Sequence, residues 1–516
     1  MVATGPSLRD ARALGGAWFA AAFALYWLTG ARGLIWADPS KLTLYAIKGY
    51  FPSLNPGDHA AWTVLAWAWL HLVGGDPVAA AHRLSALCGA LVVALAAVLV
   101  LARSGDRAQA HTAAALILVA LPLWWAATVA ETYAPALAAI LAGALVLGAA
   151  PRGWRWWVAG GLWGLALAMH VMSVFLIAPL AWEAGRKKTW RLLPGLVVGS
   201  TPVWLAVFGG PRDPLTGFAA SGASTWRWHW EAFLALARAP RGAVVLAALV
   251  LYGVGLFGVV ALWRGRRERR GSAAWAWSFG ALFLLLLTYA PYRLHLMVAF
   301  LLVGALLALP VRLPAWARVG HVVVQALLYL AIPAALTVAG RQSLGVRVLP
   351  HRNNAFYFLC PIKSICFQPP SPGSLADLPP PSRWKSGLQR CTIALDPGTE
   401  FYLAGFDPCT PTGAVVLGDF NPGAVLRLAQ VVRGWRPDLE IRPVAVDVAL
   451  GAPDPVGALT AEVERALAAR PVVLADSYGP YYHARELSTR FDLHACGSVV
   501  QVGPLHPGSN RSQWSN

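Results

Sequence analysis

The chain has 516 residues, of which 57% are hydrophobic and only 13% charged, with a mean hydropathy of +0.54 and a formal net charge of +18. A soluble domain carries about 25% charged residues, so the composition excludes an ordinary water-soluble enzyme and predicts a polytopic α-helical membrane protein. The positive charge does not point to nucleic acid, because the basic residues fall in short clusters between apolar runs, as cytoplasmic anchors of membrane helices do, and the 25 Trp fit interfacial belts.

The first apolar run predicts a membrane helix over roughly 15–36; it lacks the small-residue exit of a cleavable signal peptide. Directly after it comes an acidic, aromatic segment, Trp36 to His59, which carries Asp38, Lys41, Lys48, Asp58 and His59. Residues 60–73 are too short to span comfortably and predict an interfacial helix. Further spans are expected over 82–102, 110–128 and 133–150. The apolar run 156–182 is flanked by basic clusters at both ends, which predicts a hairpin turning at Met169-His170-Val171. Spans over 192–209, 242–263, 273–290, 296–310 and 320–339 bring the count to about eleven crossings. The clusters at Arg9/Arg12, Arg103/Arg107, Arg152/Arg155, Arg186–Arg191, Arg264–Arg270 and Arg312/Arg318 place the N-terminus in the cytoplasm and the C-terminus outside.

Beyond residue 341 the pattern becomes globular. Residues 341–410 read as an irregular connector with a Pro/Ser-rich stretch at 368–384, and 411–516 as a small extracytoplasmic α/β domain. Its expected order is a strand at 413–420, a helix capped by Asn421, the strand IRPVAVDVA, a helix at 456–470, a strand at 471–478, a helix at 481–491 and a last strand at 498–503, in a parallel layer. No nucleotide-binding glycine loop occurs in it. Cys88 lies in a membrane helix, and the five tail cysteines (Cys360, Cys366, Cys391, Cys409, Cys496) allow two disulfides and one thiol, or simply small apolar residues.

Five pieces occur in order: ADPSKL with LNPGDH, HRLSALCGALVVAL, WWAATVAETYAPALAAILAGALVL, GLALAMHVMSVFLIAP, and GAVVLGDFNPGAVLRLAQVVRGWRPDLEI. Together they resemble a bacterial multi-spanning family similar to the GT-C glycosyltransferases, whose animal members are protein O-mannosyltransferases. The W-x₃-V-A-E-x-Y and R-P-D pieces are the more specific. The resemblance covers most of residues 1–340 and part of the tail, and is poor over 359–409. It implies a GT-C-like fold with a catalytic first outer loop (37–80), a polyprenyl-phosphate sugar donor, an acidic catalytic residue and inverting transfer. The family's Asp-Ser-Gly-Glu reads Asp38-Pro39-Ser40-Lys41 here, and its His-Pro-Pro-Gly reads Asn55-Pro56-Gly57-Asp58-His59.

Such chemistry needs a carboxylate to take the acceptor's proton, and cations at the leaving phosphate. Asp38 is the expected base, Asp58 a competing one, and Glu131 a third intramembrane carboxylate that otherwise pairs with a cation such as Lys41. Phosphate or donor contacts are expected from Lys41, His59, His82, Arg83, Tyr133, His170, Arg293 and His295; as snorkelling, interfacial or packing residues these have equally ordinary roles. No metal-ligand spacing occurs, so no metal or other cofactor is expected. The expected acceptor is a protein hydroxyl or an envelope glycan. The alternatives are a transporter or flippase of a lipid-linked sugar, against which stands the lack of an internal repeat, and an inactive scaffold, which Lys41 in the acid's place would suit.

Overall fold

The computed structural model describes residues 8–36, 38–51, 59–148, 153–209, 248, 250–260, 263, 302–304, 311–343, 361–362, 399–476, 482–496 and 499–505. Asp58, Arg293 and His295, the span expected at 273–290 and the stretch 368–384 lie outside them. The described chain is mostly helical, with one small sheet near its C-terminus.

Eleven labelled helices lead the chain. They are α1 (Leu8–Thr29), α2 (Asp38–Lys48), α3 (Ala60–Val73), α4 (Pro77–Ser104), α5 (Arg107–Leu118), α6 (Leu121–Thr128), α7 (Tyr133–Leu147), α8 (Gly153–Met169), α9 (Val174–Gly185), α10 (Leu193–Gly199) and α11 (Thr201–Phe208). Further along come a helical stretch, Val250–Val260, and α12 (Ala315–Ser343). The expected span at 15–36 is corrected at both ends. Its helix begins at Leu8 and stops at Thr29, and the acidic segment expected to be a loop is itself a helix from Asp38.

Local chemistry explains the punctuation. Asp76 caps α4 by accepting the Val78 N–H at 3.0 Å, Pro77 fills the first turn, and Gly105 (φ 67°) ends the helix in the left-handed region. Asp106 caps α5 in the same way on Ala108 and Gln109. The span expected at 110–128 is broken at 119–120, with a 60° bend between α5 and α6, where Pro122 cannot donate into a continuous helix. Tyr329 of α12 satisfies that break: its hydroxyl accepts the Leu121 N–H at 3.0 Å and reaches the Val119 carbonyl at 2.8 Å. Among the described residues, two helices are long and apolar enough to cross a membrane, or up to four if each bent pair is one span.

The bundle has two chemically distinct ends. At one, Arg103 pairs with Glu183, Arg107 with Asp10 and Arg312 with Asp106, which gathers the start of α1, the end of α4, the start of α5, the end of α9 and the approach to α12. At the other, His82 near the start of α4 binds the 130–131 turn. The 21 residues of α4 between His82 and Arg103 rise about 32 Å, close to a bilayer's hydrocarbon thickness. The chain reverses at His170, where α8 ends and a 3-10 turn (Val171–Ser173) leads into α9. His170 lies with Tyr133 at the far end, while Glu183 returns to Arg103.

The tail holds α13 (Thr399–Phe406), β1 (Val415–Leu417), α14 (Phe420–Arg433), β2 (Glu440–Arg442), α15 (Ala445–Leu450), α16 (Pro455–Leu467), β3 (Val472–Leu474), α17 (Ala484–Leu487), β4 (Phe491–Cys496) and β5 (Val499–Pro504). The sheet order is β2-β1-β3-β5-β4. The first three strands are parallel, but β5 runs antiparallel to both β3 and β4. The all-parallel expectation is therefore corrected: FDLHAC, of which only Phe491 falls in an expected element, the helix at 481–491, forms a strand and closes a hairpin. IRPVAVDVA is also corrected, since only its first residues pair as β2 before Pro443 ends the ladder and α15 begins. The cap of α14 is Asp419, not Asn421. One face of the sheet (Val416, Val473, Val499) shares a continuous apolar core with the bundle, and Val415, Leu417, Leu474 and Val500 build a second core on the other face with α16. A disulfide joins Cys409 to Cys496, and Cys88 is a buried thiol in α4; the other three cysteines lie outside the described residues.

Candidate active site

Asp38 is the first residue of α2 and is half-buried. Among the described residues, no hydrogen bond or ion pair engages it. Its helix is anchored by hydroxyls that turn back onto the chain: Ser40 donates to the Ile35 carbonyl, and Thr43 to the Pro39 carbonyl at 2.7 Å. The preceding Trp36 is buried and meets Tyr402 of the tail edge-on at 5.0 Å, while the Tyr402 hydroxyl donates to the Ala475 carbonyl at 2.7 Å. The acidic turn is thus seated between the bundle and the sheet.

Glu131 lies in the break between α6 and α7 and is only 4% exposed. The break is tied to the bundle through α4. The Glu131 N–H donates to the Ser85 hydroxyl at 3.1 Å, and the Ala130 N–H to His82 Nδ1 at 2.8 Å. The other nitrogen of His82 donates to the Gly33 carbonyl at 3.1 Å, and the Ala31 N–H donates to the Thr128 carbonyl at 2.9 Å. The segment entering Asp38 and the segment carrying Glu131 therefore run side by side. Both nitrogens of His82 are occupied by backbone, so it positions these segments rather than presenting a free ring to a ligand.

A file of rings continues from Glu131. Tyr133 packs on His170 with centroids 4.7 Å apart, and His170 stacks on His59 at 5.3 Å. His59 is held in the left-handed region (φ 64°), and its Nδ1 lies 2.7 Å from the Met169 carbonyl. His170 Nδ1 accepts the Met172 N–H at 3.2 Å. Trp62 Nε1, Thr63 Oγ1 and Thr132 Oγ1 are each buried without a hydrogen-bond partner among the described residues. An orphaned polar atom costs about 1–3 kcal/mol; Trp62 and Thr63 lie in the first turn of α3, which begins just after His59, and Thr132 directly follows Glu131.

Lys41, one turn beyond Asp38, is half-buried with its ammonium 4.8 Å from the Phe420 ring centre and 5.8 Å from that of Tyr45. Arg83 faces outward, its guanidinium 4.6 Å above the ring of Trp27 on α1, the posture of an interfacial anchor. Thus Asp38, Lys41, His59, His82, Glu131, Tyr133 and His170 come to one end of the bundle, Arg83 points away, and Asp58, Arg293 and His295 are not described. Among the described residues, no group of three His, Cys, Asp or Glu side chains is arranged to hold a metal ion.

Sequence reading missed the tail's side of this site. Asp419, 1% exposed, caps α14 through the Asn421 N–H (3.1 Å) and accepts the Tyr482 hydroxyl at 2.7 Å. Asp447 accepts the Phe420 N–H at 2.6 Å. The Gly-Asp-Phe-Asn-Pro-Gly run was the available signal, since a capping Asp before a Pro-containing first turn marks a helix start.

No protein-family model matches the chain, and no curated protein matches it. Among solved structures, the chain is similar to ArnT from Cupriavidus metallidurans bound to undecaprenyl phosphate, at 13% identity over 95% of this chain and 98% of that one, with a TM-score of 0.49. It is also similar to the Archaeoglobus fulgidus oligosaccharyltransferase in complex with zinc and sulfate, at 14% identity over 94% of this chain and 73% of that one, with a TM-score of 0.43.

Proposed function

We propose that the chain is an integral-membrane glycosyltransferase of GT-C type that moves a hexose, mannose-like, from a polyprenyl phosphate to a protein hydroxyl or an envelope glycan. The observation that carries this reading is the placement of Asp38: a half-buried carboxylate engaged by no described partner, linked through Gly33, His82 and Ala130 to the turn that bears buried Glu131. Asp38 takes the proton as the acceptor oxygen attacks the anomeric carbon. The carbon–oxygen bond to phosphate breaks, and the phosphate departs with the electron pair. Lys41 lies one helical turn away to meet its charge. Glu131 and the Tyr133–His170–His59 file line the same end and hold the sugar and acceptor hydroxyls. The site faces the extracytoplasmic side in this reading, because the opposite end of the bundle gathers the basic clusters; the Cys409–Cys496 disulfide fits the same compartment.

Purified protein incubated with a radiolabelled polyprenyl-phosphate hexose and membrane acceptors tests the reading. Wild type is expected to transfer label. Asp38→Asn is expected to lose transfer by at least 10²-fold while eluting as folded protein. Transfer retained by Asp38→Asn removes Asp38 from the chemistry, and donor movement across vesicles without transfer replaces the enzyme with a transporter.

A further inference from the structure

Asp38 opens α2, so its direction is set by whatever holds the chain entering that helix. The bundle holds this chain at Ala31, on the Thr128 carbonyl, and at Gly33, on His82. Trp36, two residues before Asp38, meets the tail: its buried ring lies edge-on to Tyr402, with centroids 5.0 Å apart. The Ser40 hydroxyl donates to the Ile35 carbonyl, which staples the first turn of α2 back across Trp36. Tyr402 is wholly buried and is itself fixed on several sides. Its hydroxyl donates to the Ala475 carbonyl at 2.7 Å, and its ring packs on Phe406, which packs on Trp435. Ala475 directly follows β3, and its N–H donates to the Leu417 carbonyl of β1 at 2.9 Å, so the anchor sits where two neighbouring strands end together. Beyond α13, the Cys409–Cys496 disulfide and Gln501 Nε2, which donates to the Cys409 carbonyl at 2.7 Å, tie the same segment to β4 and β5.

We infer that Tyr402 is a positioning residue for Asp38: its ring, fastened to the sheet, is the seat against which Trp36 sets the start of α2. Ile35, Trp36 and Ser40 move as one stapled unit with Asp38 inside it, so a shift of the indole is passed to the carboxylate. A displacement of about 1 Å at a reacting group can cost roughly 10²-fold in rate. The sheet domain thereby becomes part of the active site without contributing a reacting group. The role of Asp38 rests on the transferase reading above; the Trp36–Tyr402 seat does not.

Hydrogen exchange of full-length protein in detergent tests the seat. Tyr402→Leu is expected to speed exchange of peptides covering 38–48 roughly threefold or more, with α4 unchanged, while Tyr402→Phe, which keeps the ring, stays close to wild type. Trp36→Leu removes the same contact from the other side; it is expected to give the same change and replaces Tyr402→Leu if that variant does not fold. Leu459→Ala on α16 weakens the core on the sheet's other face and is the control for general loosening of the tail, with 38–48 unchanged. Unchanged exchange of 38–48 in Tyr402→Leu, equal effects of Leu and Phe, or an equal effect of Leu459→Ala overturns the inference. In the transfer assay, Tyr402→Leu is expected to lower kcat roughly tenfold or more with the donor KM shifted less than roughly threefold, and Tyr402→Phe to recover most of the loss. Wild type without transfer activity defeats the transferase reading but leaves the exchange result standing. Exchange as expected with kcat unaffected overturns the catalytic half of the inference.

Discussion

His82 Nδ1 accepts the backbone N–H of Ala130 at 2.8 Å, while the same ring reaches across to the Gly33 carbonyl at 3.1 Å. One imidazole thus closes two breaks in helical structure, the exit of α1 and the gap between α6 and α7. His82→Ala leaves the buried Ala130 N–H without its partner, at a cost of about 1–3 kcal/mol, and frees the half-buried Gly33 carbonyl. Thermal unfolding in detergent is expected to show a clear drop for His82→Ala, and transfer is expected to fall with it. A His82→Ala protein as stable and as active as wild type would remove the clasp.

The bundle's legibility followed from energetics that act along the chain. Apolar run length and basic flanks predict most helices, and the awkward His170 marks the reversal between α8 and α9. The acidic segment after α1 was visible as chemistry but not as a helix, because Asp38-Pro39 reads locally as a turn, whereas α2 is stabilised by packing on α14 and α3. The tail's errors have the same origin. Val444–Ala449 alternates like a strand, yet the Gly418 carbonyl accepts the Val446 N–H at 3.0 Å, a contact from distant chain that favours α15. The Lys41–Phe420 contact joins positions that no local pattern connects.

Two helices of the bundle touch through backbone. A Cβ at Gly199 would lie 1.9 Å from the Gly161 carbonyl oxygen, at Gly195 2.0 Å from the Trp157 oxygen, and at Gly164 2.3 Å from the Leu196 oxygen. Small residues spaced four apart on α8 (Gly160, Gly164) and α10 (Gly195, Gly199) permit this approach. Gly164→Leu and Gly199→Leu are expected to separate the helices and cost about 1–3 kcal/mol or more. Gly153, with nothing within 4 Å of its would-be Cβ, is the control, and Gly153→Ala is expected to be neutral or slightly stabilising. Equal melting temperatures for all three variants would contradict the close crossing.

The hydroxyl of Tyr329 is a second device for a broken helix. It accepts from the Leu121 N–H and from Gln325 Nε2 (2.9 Å), and it lies 2.8 Å from the Val119 carbonyl. Tyr329→Phe keeps the ring against Trp124 and Tyr252 but removes these bonds. The expected cost is about 1–3 kcal/mol, with faster hydrogen exchange confined to peptides covering 117–123. Unchanged exchange there would mean that the bend between α5 and α6 is held by packing alone.

The Arg-Pro-Asp piece of the tail acts as a brace. Arg436 donates to both oxygens of Asp438 at 2.9 Å, to the Thr410 carbonyl at 3.1 Å and to that of Pro411 at 3.2 Å, while the Gly413 N–H donates to Asp438 at 2.9 Å. The loop beside Cys409 is pinned to the turn after α14. The Arg436 hydrogen bond, then the Gly413 N–H, hold the Asp438 carboxyl well below the usual carboxylate range. A carboxyl depressed in the folded state contributes stability that is present above its unfolded pKa of about 3.9 and is lost as pH falls below that value. Because the pair is close to solvent, the contribution is about 1 kcal/mol or less and weakens with salt. Asp438→Asn is therefore expected to speed hydrogen exchange of residues 407–413 at neutral pH, with the excess over wild type shrinking as pH is lowered through 4 toward 2. An excess that grows on acidification, or that ignores pH, would assign the loop's order to the Cys409–Cys496 disulfide instead of to the brace.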